Sequence, residues 1–597
     1  MNLVNFVLEQ NTEDAEYNQT MTQKYKDKIQ NGALLIKNNR KLINLKFLQD
    51  FQIHRLELIE CTNIVAQLKN NSIKELIIRI CGLKDIENIE LENLEILEIS
   101  NQALKIQNIQ KFNKLQHLNI TYTNCTDITD ISNLYLPQLR ILNLRDNKLK
   151  DLTPISKFVN LEELNLSHNQ DIQNTYPLQF LKKLTKLNLS HCQLYFVIQF
   201  EQLTNLLVEL DVSENFNVDL SSFKHLVNLK KLNISRTNTD SINVLQPLNN
   251  LETLDISKND IVDINILKYF GNLTNLNISD TDVKNIELLT HLAHLKEIDL
   301  SNNPKIDFQP LQNMVQLQKL SMCSNKLSNI SFLSGLINLK HLNLSSNNIL
   351  DITPLQYQIS LTYLNISSCK IIDISFMRTL VNLEVLSMRL NKISNIQHLQ
   401  NIVLLTYLDI SYNSIKDISV LNQFKSLKKL HLNRNEGVDI TPLQYQTQLI
   451  ELTLDECDLY EISALRPLIN LEYLDIASNY IIYFYPICNL ETQINFEGNL
   501  TVESSDLFTF YDVKNKSQYT DQPTEQQMQL AEKMKMVDLN MSSVRDINSK
   551  RKNYLLSKLT ATTAVIQQSL KLYNMFSSFY EKVAQLFAQL DAQEDQQ

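Results

Sequence analysis

Residues 339–360 read LKHLNLSSNNILDITPLQYQIS, and at Leu361 the same wording begins again with LTYLNISSCKIIDISFM. The restart recurs every 22 residues, at Leu207, Leu229, Leu251, Leu273, Leu295, Leu317, Leu339, Leu361, Leu383, Leu405, Leu427, Leu449 and Leu471. Self-similarity at a fixed period of this length means that each segment is one structural coil stacked on the last. The core then grows by addition, and function is spread along a surface rather than gathered in a pocket. Earlier starts fall at Ile53, Ile73, Leu94, Leu115, Leu139, Leu161 and Leu184, with a degenerate first coil at Asn31 and a last one at Glu491. On this template residues 31–499 hold about 22 coils.

Inside each coil the stretch xLxL alternates as a short strand does, so Leu342 and Leu344, or Leu408 and Ile410, point inward while the residues between them face out. Stacked strands form one parallel sheet, whose concave face at a spacing of about 4.8 Å is expected to be on the order of 100 Å long. The ninth position carries Asn147, Asn169, Asn215, Asn259, Asn303, Asn325, Asn347, Asn391, Asn413, Asn435, Asn479 and Asn499, with Thr123, Thr237 and Thr281 interspersed. Each turn buries backbone groups that need partners. An Asn amide donates to carbonyls of its own and the neighbouring coil, where Cys or Thr supplies one weaker donor, so this column is structural. Next comes NxIxDIxPL, with prolines at 154, 177, 247, 310, 354, 442 and 467 expected to open a short helical turn on the convex side. Three residues before the next start lies an apolar column, Phe112, Phe158, Leu226, Leu248, Phe270, Leu292, Leu336, Leu380, Phe424 and Leu468, which closes the back of the core.

The 22-residue wording NxIxDIxPLxxLxxL resembles the class of leucine-rich repeats found in the regulatory subunit of protein phosphatase 1 and in bacterial internalins, over roughly 470 residues. The resemblance implies an α/β solenoid: a leucine-rich-repeat horseshoe or arc with a parallel concave sheet and short 3-10 or helical convex turns. A C-terminal α-helical segment is expected after it. Function does not carry over, because this class hosts adhesins, phosphatase regulators and cytoskeletal scaffolds alike. The array is longer than the phosphatase regulator's usual dozen or so coils, and that family's phosphatase-contacting residues do not map onto this chain. Internalins carry a signal peptide and an immunoglobulin-like domain, for which this sequence offers no signal peptide and a helical C-terminal stretch.

A net charge of −10 leaves no excess of cations to neutralise phosphates or coat an anionic membrane, so nucleic acid is not an expected partner. No apolar run approaches the roughly 20 residues of a spanning helix. The patch Leu3 to Leu8 lacks a basic lead and runs into Glu9, Glu13 and Asp14, so neither a signal peptide nor membrane insertion is expected. Of eight cysteines, Cys61, Cys81, Cys192, Cys369 and Cys457 fall on the asparagine position, and no CxxC occurs. They read as reduced ladder thiols of a cytoplasmic protein rather than disulfides or zinc ligands. Glycosylation triplets such as Asn343-Leu344-Ser345 arise automatically from the repeat wording. The six glycines, at 32, 82, 271, 335, 437 and 498, never cluster as a phosphate-cradling loop requires. No HExxH, nucleophile elbow or kinase signature appears, and His291 and His294 read as surface residues of a convex segment. The expectation is a protein with no catalytic residue, no cofactor and no metal.

A solenoid needs polar caps, since its terminal coils would otherwise expose core leucines. Residues 1–30 read as a helical cap, with Tyr17, Met21, Tyr25 and Ile29 spaced four apart over 14–30. Residues 500–526 read as a C-terminal cap and polar linker, and 527–597 as a helical or coiled-coil tail. There Leu559, Ile566, Tyr573, Tyr580 and Phe587 fall on one heptad line and Leu555, Phe576, Val583 and Leu590 on the other, interrupted by Thr562 and Ser569. A coiled coil that self-associates or docks a partner and a helical hairpin folded back on the solenoid are both consistent with that pattern. Lys550-Arg551-Lys552 reads as a solvated basic turn.

A folded protein partner is expected on the concave face, at the outward strand positions where the family-average Asn or Asp followed by Ser is abandoned. These departures concentrate between the coils starting at 339 and 471. Tyr363, Tyr407 and Tyr473 stand just before the second leucine, with Val385 between the first two, and Arg389, Tyr412, His431, Arg434, Asp455 and Glu456 follow along the same strands. Aromatic and Arg anchors are the residue types that dominate protein interfaces. The competing functions are a secreted or surface adhesin of internalin type and a phosphatase-1 regulator.

Overall fold

The computed structural model describes residues 5–6 and 32–499, apart from 38–44, 46–47, 50, 62–67, 82–85, 102–108, 126–135, 195–205, 217, 482–484, 488–489 and 491. The expected helix at 14–30 and the whole of 500–597 thus lie outside the described residues. The chain forms two compact units, Met1–Asn325 and Lys326–Gln597.

Each unit is a parallel sheet backed by short turns. In the first, the strands Ala33–Lys37, Arg55–Ile59, Glu75–Arg79, Ile96–Ser100 and His117–Thr121 have five residues, and those from Ile141–Asn143 to Lys319–Ser321 have three. In the second, three-residue strands run from His341–Asn343 to Gln493–Asn495. The register is the repeat period itself, since Leu254 opposes Leu276 and Leu276 opposes Ile298. Where the template has shorter or longer coils, pairing follows it: Leu76 opposes Leu97, Leu118 opposes Leu142 and Leu164 opposes Leu187. Ahead of the first coil Asn5–Phe6 adds a strand parallel to Leu35 and Ile36, which a purely helical cap over residues 1–30 does not anticipate.

The leucines of LxxLxL and the back column fill the interior. Every residue of that column, from Phe112 to Leu468, is at most 5% exposed, and each such side chain contributes roughly 1.5–3 kcal/mol by leaving water. Two coils place glutamine there instead. Gln358 and Gln446 end identical hexapeptides, TPLQYQ, and remain buried because their Nε2 groups donate to Leu333 O and Leu421 O, each at 2.7 Å.

Turns on the back are 3-10 in most described coils, as in Asn265–Tyr269 and Ser331–Gly335. In two early coils Leu68–Lys69 pairs with Ile89–Glu90 there instead. Pro154, Pro177, Pro310, Pro354 and Pro442 stand in the first turn as expected. Pro247 and Pro467 do not, because they follow the shorter turns Asn243–Leu245 and Ser463–Leu465. Their missing N–H removes the donor that would carry the 3-10 ladder one residue further. The Asp of the DI pair starts these turns, Asp351 Oδ1 accepting from Thr353 N at 2.9 Å and Asp439 Oδ1 from Thr441 N at 2.9 Å. Thr353 thereby holds the Asp351 carboxyl below its ordinary value.

Candidate binding surface

The outward strand positions are held from the side by the asparagine column. Asn259 Nδ2 donates to Ile234 O of the preceding coil (2.9 Å) and to Ile256 O of its own (3.0 Å). Its Oδ1 accepts from Thr237 N and Thr239 N of the preceding coil, both at 3.0 Å. The ladder cysteines keep the donor half of this arrangement: Cys192, Cys369 and Cys457 give Sγ to Leu166 O, Leu344 O and Leu432 O at 3.2, 3.1 and 3.3 Å. Burial pushes their thiols up, to about 12, about 11 and about 12 respectively. One residue before the ladder the backbone is left-handed in coil after coil, at φ +58° for Tyr412, +54° for Arg434 and +51° for Glu456. A non-glycine residue there costs roughly 1–2 kcal/mol. Because ordinary coils such as that of Lys258 share this conformation, it belongs to the fold rather than to any one site.

What distinguishes coils is how the strand ends. In the usual case an Asx side chain closes a bracket on the residue two further on. Asp211 Oδ1 accepts from Ser213 N (2.9 Å) and Ser213 Oγ (2.6 Å), and Asp255 does the same with Ser257 (3.0 and 2.6 Å). The backbone half of the bracket runs through the first unit at Asn143, Asn165, Asn188, Asn233, Asn277 and Asp299. It returns in the second unit at Asn343, Asn365, Asp409 and Asp475. Each bracket commits one side-chain oxygen to its own strand and fixes the side chain's orientation there. In the coils starting at Leu383, Leu427 and Leu449 the bracket residue is Ser387, His431 or Thr453, none of which carries an Asx oxygen. The first-unit coils starting at Ile53, Ile73, Leu94 and Leu317, with Glu57, Ile77, Glu98 and Ser321, lack one too.

Around those three coils the side chains contact one another across strands. Tyr363, Val385, Tyr407, Lys429, Glu451 and Tyr473 make one row of opposed residues. The Tyr407 hydroxyl lies 3.4 Å from His431 Nδ1, the two rings meet edge to face at 5.2 Å, and His431 Nε2 lies 3.0 Å from Glu451 Oε1. Lys429 Nζ closes this chain at 2.6 Å from Glu451 Oε2 and holds the Glu451 carboxyl below its ordinary value. Burial, reinforced by the charges of Asp409 and Glu451, pushes the Tyr407 phenol up to about 12. Burial also raises Tyr473 and Asp455. A second cluster stacks Arg389 over the Tyr412 ring at 4.4 Å and Arg434 over the same ring at 5.0 Å, and Arg434 in turn bonds Glu456. Each cation–π contact at an exposed site is worth about 0.5–1 kcal/mol, enough to hold a guanidinium in place.

Of the residues singled out from sequence, Arg389, Tyr412 and Arg434 thus form one cluster with Glu456, and Tyr407 and His431 form another. Tyr363 and Val385 continue the Tyr407 row. Tyr473 opposes Glu451 at the far end of the row from Tyr407, and Asp455, whose N–H donates to Asn433 Oδ1, acts on Arg434 and Glu456 of the second cluster through its charge. Residues missed from sequence are Lys429, Glu451 and His341, whose ring stacks on Tyr363 at 3.8 Å. All three occupy the strand position of the tyrosines, so aligning that one column for every residue type would have found them. Among the described residues no group of three or more His, Cys, Asp or Glu side chains is arranged to hold a metal ion, and no helix is long and apolar enough to cross a membrane.

Residues 137–179, 315–357 and 404–445 match the family model for leucine-rich repeats in two copies. No curated protein matches the chain. Among solved structures it is similar to an internalin of Listeria monocytogenes, 23% identical over 62% of this chain and 89% of that one, with a TM-score of 0.37. A second internalin of Listeria monocytogenes, C2, is 31% identical over 34% of this chain and 88% of that one, with a TM-score of 0.29. A leucine-rich repeat protein of Leptospira interrogans is 22% identical over 67% of this chain and 95% of that one, with a TM-score of 0.41. The chain is a leucine-rich repeat protein, and its repeats resemble those of the internalins.

Proposed function

We propose that the chain is a non-catalytic scaffold or regulator that binds a folded protein partner on the outward strand face of its second unit. One observation carries this reading: the self-satisfied Asx bracket is given up in the coils at Leu383 and Leu427, whose Arg389, His431 and Arg434 stack on or bond to Tyr407 and Tyr412 of the bracketed coil between them. Aromatic and Arg side chains already fixed by their neighbours lose little rotamer freedom on binding, which is the condition under which a few residues dominate an interface. We place this scaffold in the reducing cytoplasm, where the buried ladder thiols Cys192, Cys369 and Cys457 stay reduced; the alternative setting is that of an internalin-like adhesin. Cell fractionation separates these two settings, since protein in the medium or glycan on the LNLS asparagines supports the adhesin.

The test is affinity purification of the full chain from native cells beside the Arg389→Ala/Tyr407→Ala variant, with mass spectrometry of what copurifies. Retention of one protein should fall by about tenfold or more, with circular dichroism unchanged because both side chains lie outside the core. An identical set of copurifying proteins from both chains removes this surface from consideration.

A further inference from the structure

The position after the buried back column, two before each new coil, is solvent-facing and varies in chemistry: Asn249, Gly271 and Ala293 hold it in the first unit and Lys425 and Thr447 in the second, with exposed aliphatic residues also at Val159, Val227, Val315 and Ile469. In four consecutive coils of the second unit it is aliphatic, with Ile337 54% exposed, Ile359 54%, Val381 43% and Val403 46%, and Leu404 beside the last is 46% exposed. The backbone under this row is fixed. Asn382 Nδ2 donates to Ile359 O of the preceding coil at 2.9 Å, and Leu361 N and Leu383 N close turns onto Gln358 O and Leu380 O. The row is thus a rigid strip of aliphatic side chains, one per coil at about 4.8 Å, that stacking of the coils does not require.

The same chain carries a segment with the complementary pattern. From residue 573 to 590 the heptad lines are unbroken, with Tyr573, Phe576, Tyr580, Val583, Phe587 and Leu590, and the only charges are Glu581 and Lys582. As a helix this stretch presents one apolar side chain every 3.5 residues, or about 5.3 Å along its axis, close to the coil spacing of the strip. So little charge leaves it poorly solvated unless that face is covered. Residues 500–572 lie between, and at about 3.3 Å per extended residue they reach any point on the unit. Tethering makes the encounter intramolecular, which raises the local concentration to the millimolar range.

We infer that residues 573–590 dock as an amphipathic helix along the strip Ile337–Ile359–Val381–Val403 of the same chain. Full-length unlabelled and isotope-labelled chains, mixed and treated with a lysine-reactive cross-linker, test this by mass spectrometry, because Lys340 and Lys425 flank the strip while Lys571 and Lys582 flank or lie within the helix. The expected result is cross-links from Lys571 or Lys582 to Lys340 or Lys425 within single copies, reduced at least tenfold in Ile359→Glu/Val381→Glu. Both substitutions are at exposed sites, and circular dichroism checks that the variant is folded. A second variant, Phe576→Asp/Val583→Asp, leaves the repeats untouched and should lose the same links. Links joining labelled to unlabelled copies would show that the tail self-associates, and links that persist in both variants would place it elsewhere; either result overturns the inference.

Discussion

From Asn143 to Asp299 the first unit ends strand after strand with the same Asx bracket, which it lacks towards its two ends, at Glu57, Ile77 and Glu98 and at Ser321, whereas the second breaks it among closed ones at Ser387, His431 and Thr453. Both units keep the ladder, the left-handed residue before it and the buried leucines. The difference therefore lies in how the strand ends are held. Where the bracket is closed, Asp or Asn and Ser stabilise their own strand end. Where it is open, that stabilisation is absent and cross-strand contacts such as Arg389 on Tyr412 stand in its place. Under the proposed function the uniform coils are a support, and the irregular ones carry the partner surface.

The largest effect tests what the units share. Asn259→Leu removes the acceptor of Thr237 N and Thr239 N and the donor to Ile234 O and Ile256 O, which should cost about 3–5 kcal/mol. Denaturant unfolding measures the loss, and hydrogen exchange at Thr237 and Thr239 should speed up first; a cost under about 1 kcal/mol means the ladder is dispensable. The next prediction exchanges the two kinds of coil. Ser387→Asn with Arg389→Ser rebuilds the bracket in the second unit without setting a second carboxylate opposite Asp409, and should add about 1 kcal/mol while weakening partner retention. The converse pair, Asp255→Ser with Ser257→Arg, should cost about the same in the first unit with no effect on the partner. If rebuilding the bracket leaves binding intact, the comparison between units has no functional content.

Smaller effects refine it. Cys192 in one unit and Cys457 in the other, both pushed up to about 12, remain thiols at pH 8. Alkylation of the native chain should therefore be slow and alike at both, with half-buried Cys323 modified before either; fast labelling of either ladder thiol means its coil opens. The smallest effect is at Tyr407. Its phenol rises from 10.0 to about 12 in the fold, so the folded chain holds this proton more tightly than the unfolded chain. The stabilisation is complete below pH 10 and is lost as pH rises through about 12. Stability profiles of the chain and of Tyr407→Phe should diverge only in that window, and coincident profiles mean the phenol is no more buried than in the unfolded chain.

Much of this was legible in the sequence because a repeat is its own alignment. The starts placed at Leu94, Leu115, Leu139 and Leu184 reappear as strand register. The donor role of Asn259 and the thiols in its column followed from the need to satisfy buried carbonyls. Its acceptor role did not, because the amides it receives belong to the coil before it and their direction is unknown until the coils are stacked. The bracket was hidden for a similar reason. Asp255 and Ser257 look like two exposed polar residues, and only the strand's turn brings Oδ1 onto the backbone N–H two positions on. Arg389, Tyr407 and Tyr412 stood out as departures from the family average. Lys429 and Glu451 did not, since an acid and a base on an outward strand position look like ordinary surface until the register sets them side by side.

The backward reach of each ladder amide gives the chain a direction in time as well as in space. As the ribosome delivers one coil after another, the newest coil carries backbone donors at its ladder residue and two positions beyond with no side-chain oxygen to receive them. The coil that follows brings that oxygen, as Asn479 does for Cys457 N and Leu459 N. A coil followed by an asparagine ladder residue is sealed by its successor, so a nascent chain stays open at its growing end until synthesis moves on. A stop codon in the middle of the array would leave that end permanently unsealed, with two bare amides beside the exposed leucines of the last coil, the kind of feature that quality-control chaperones and proteases recognise.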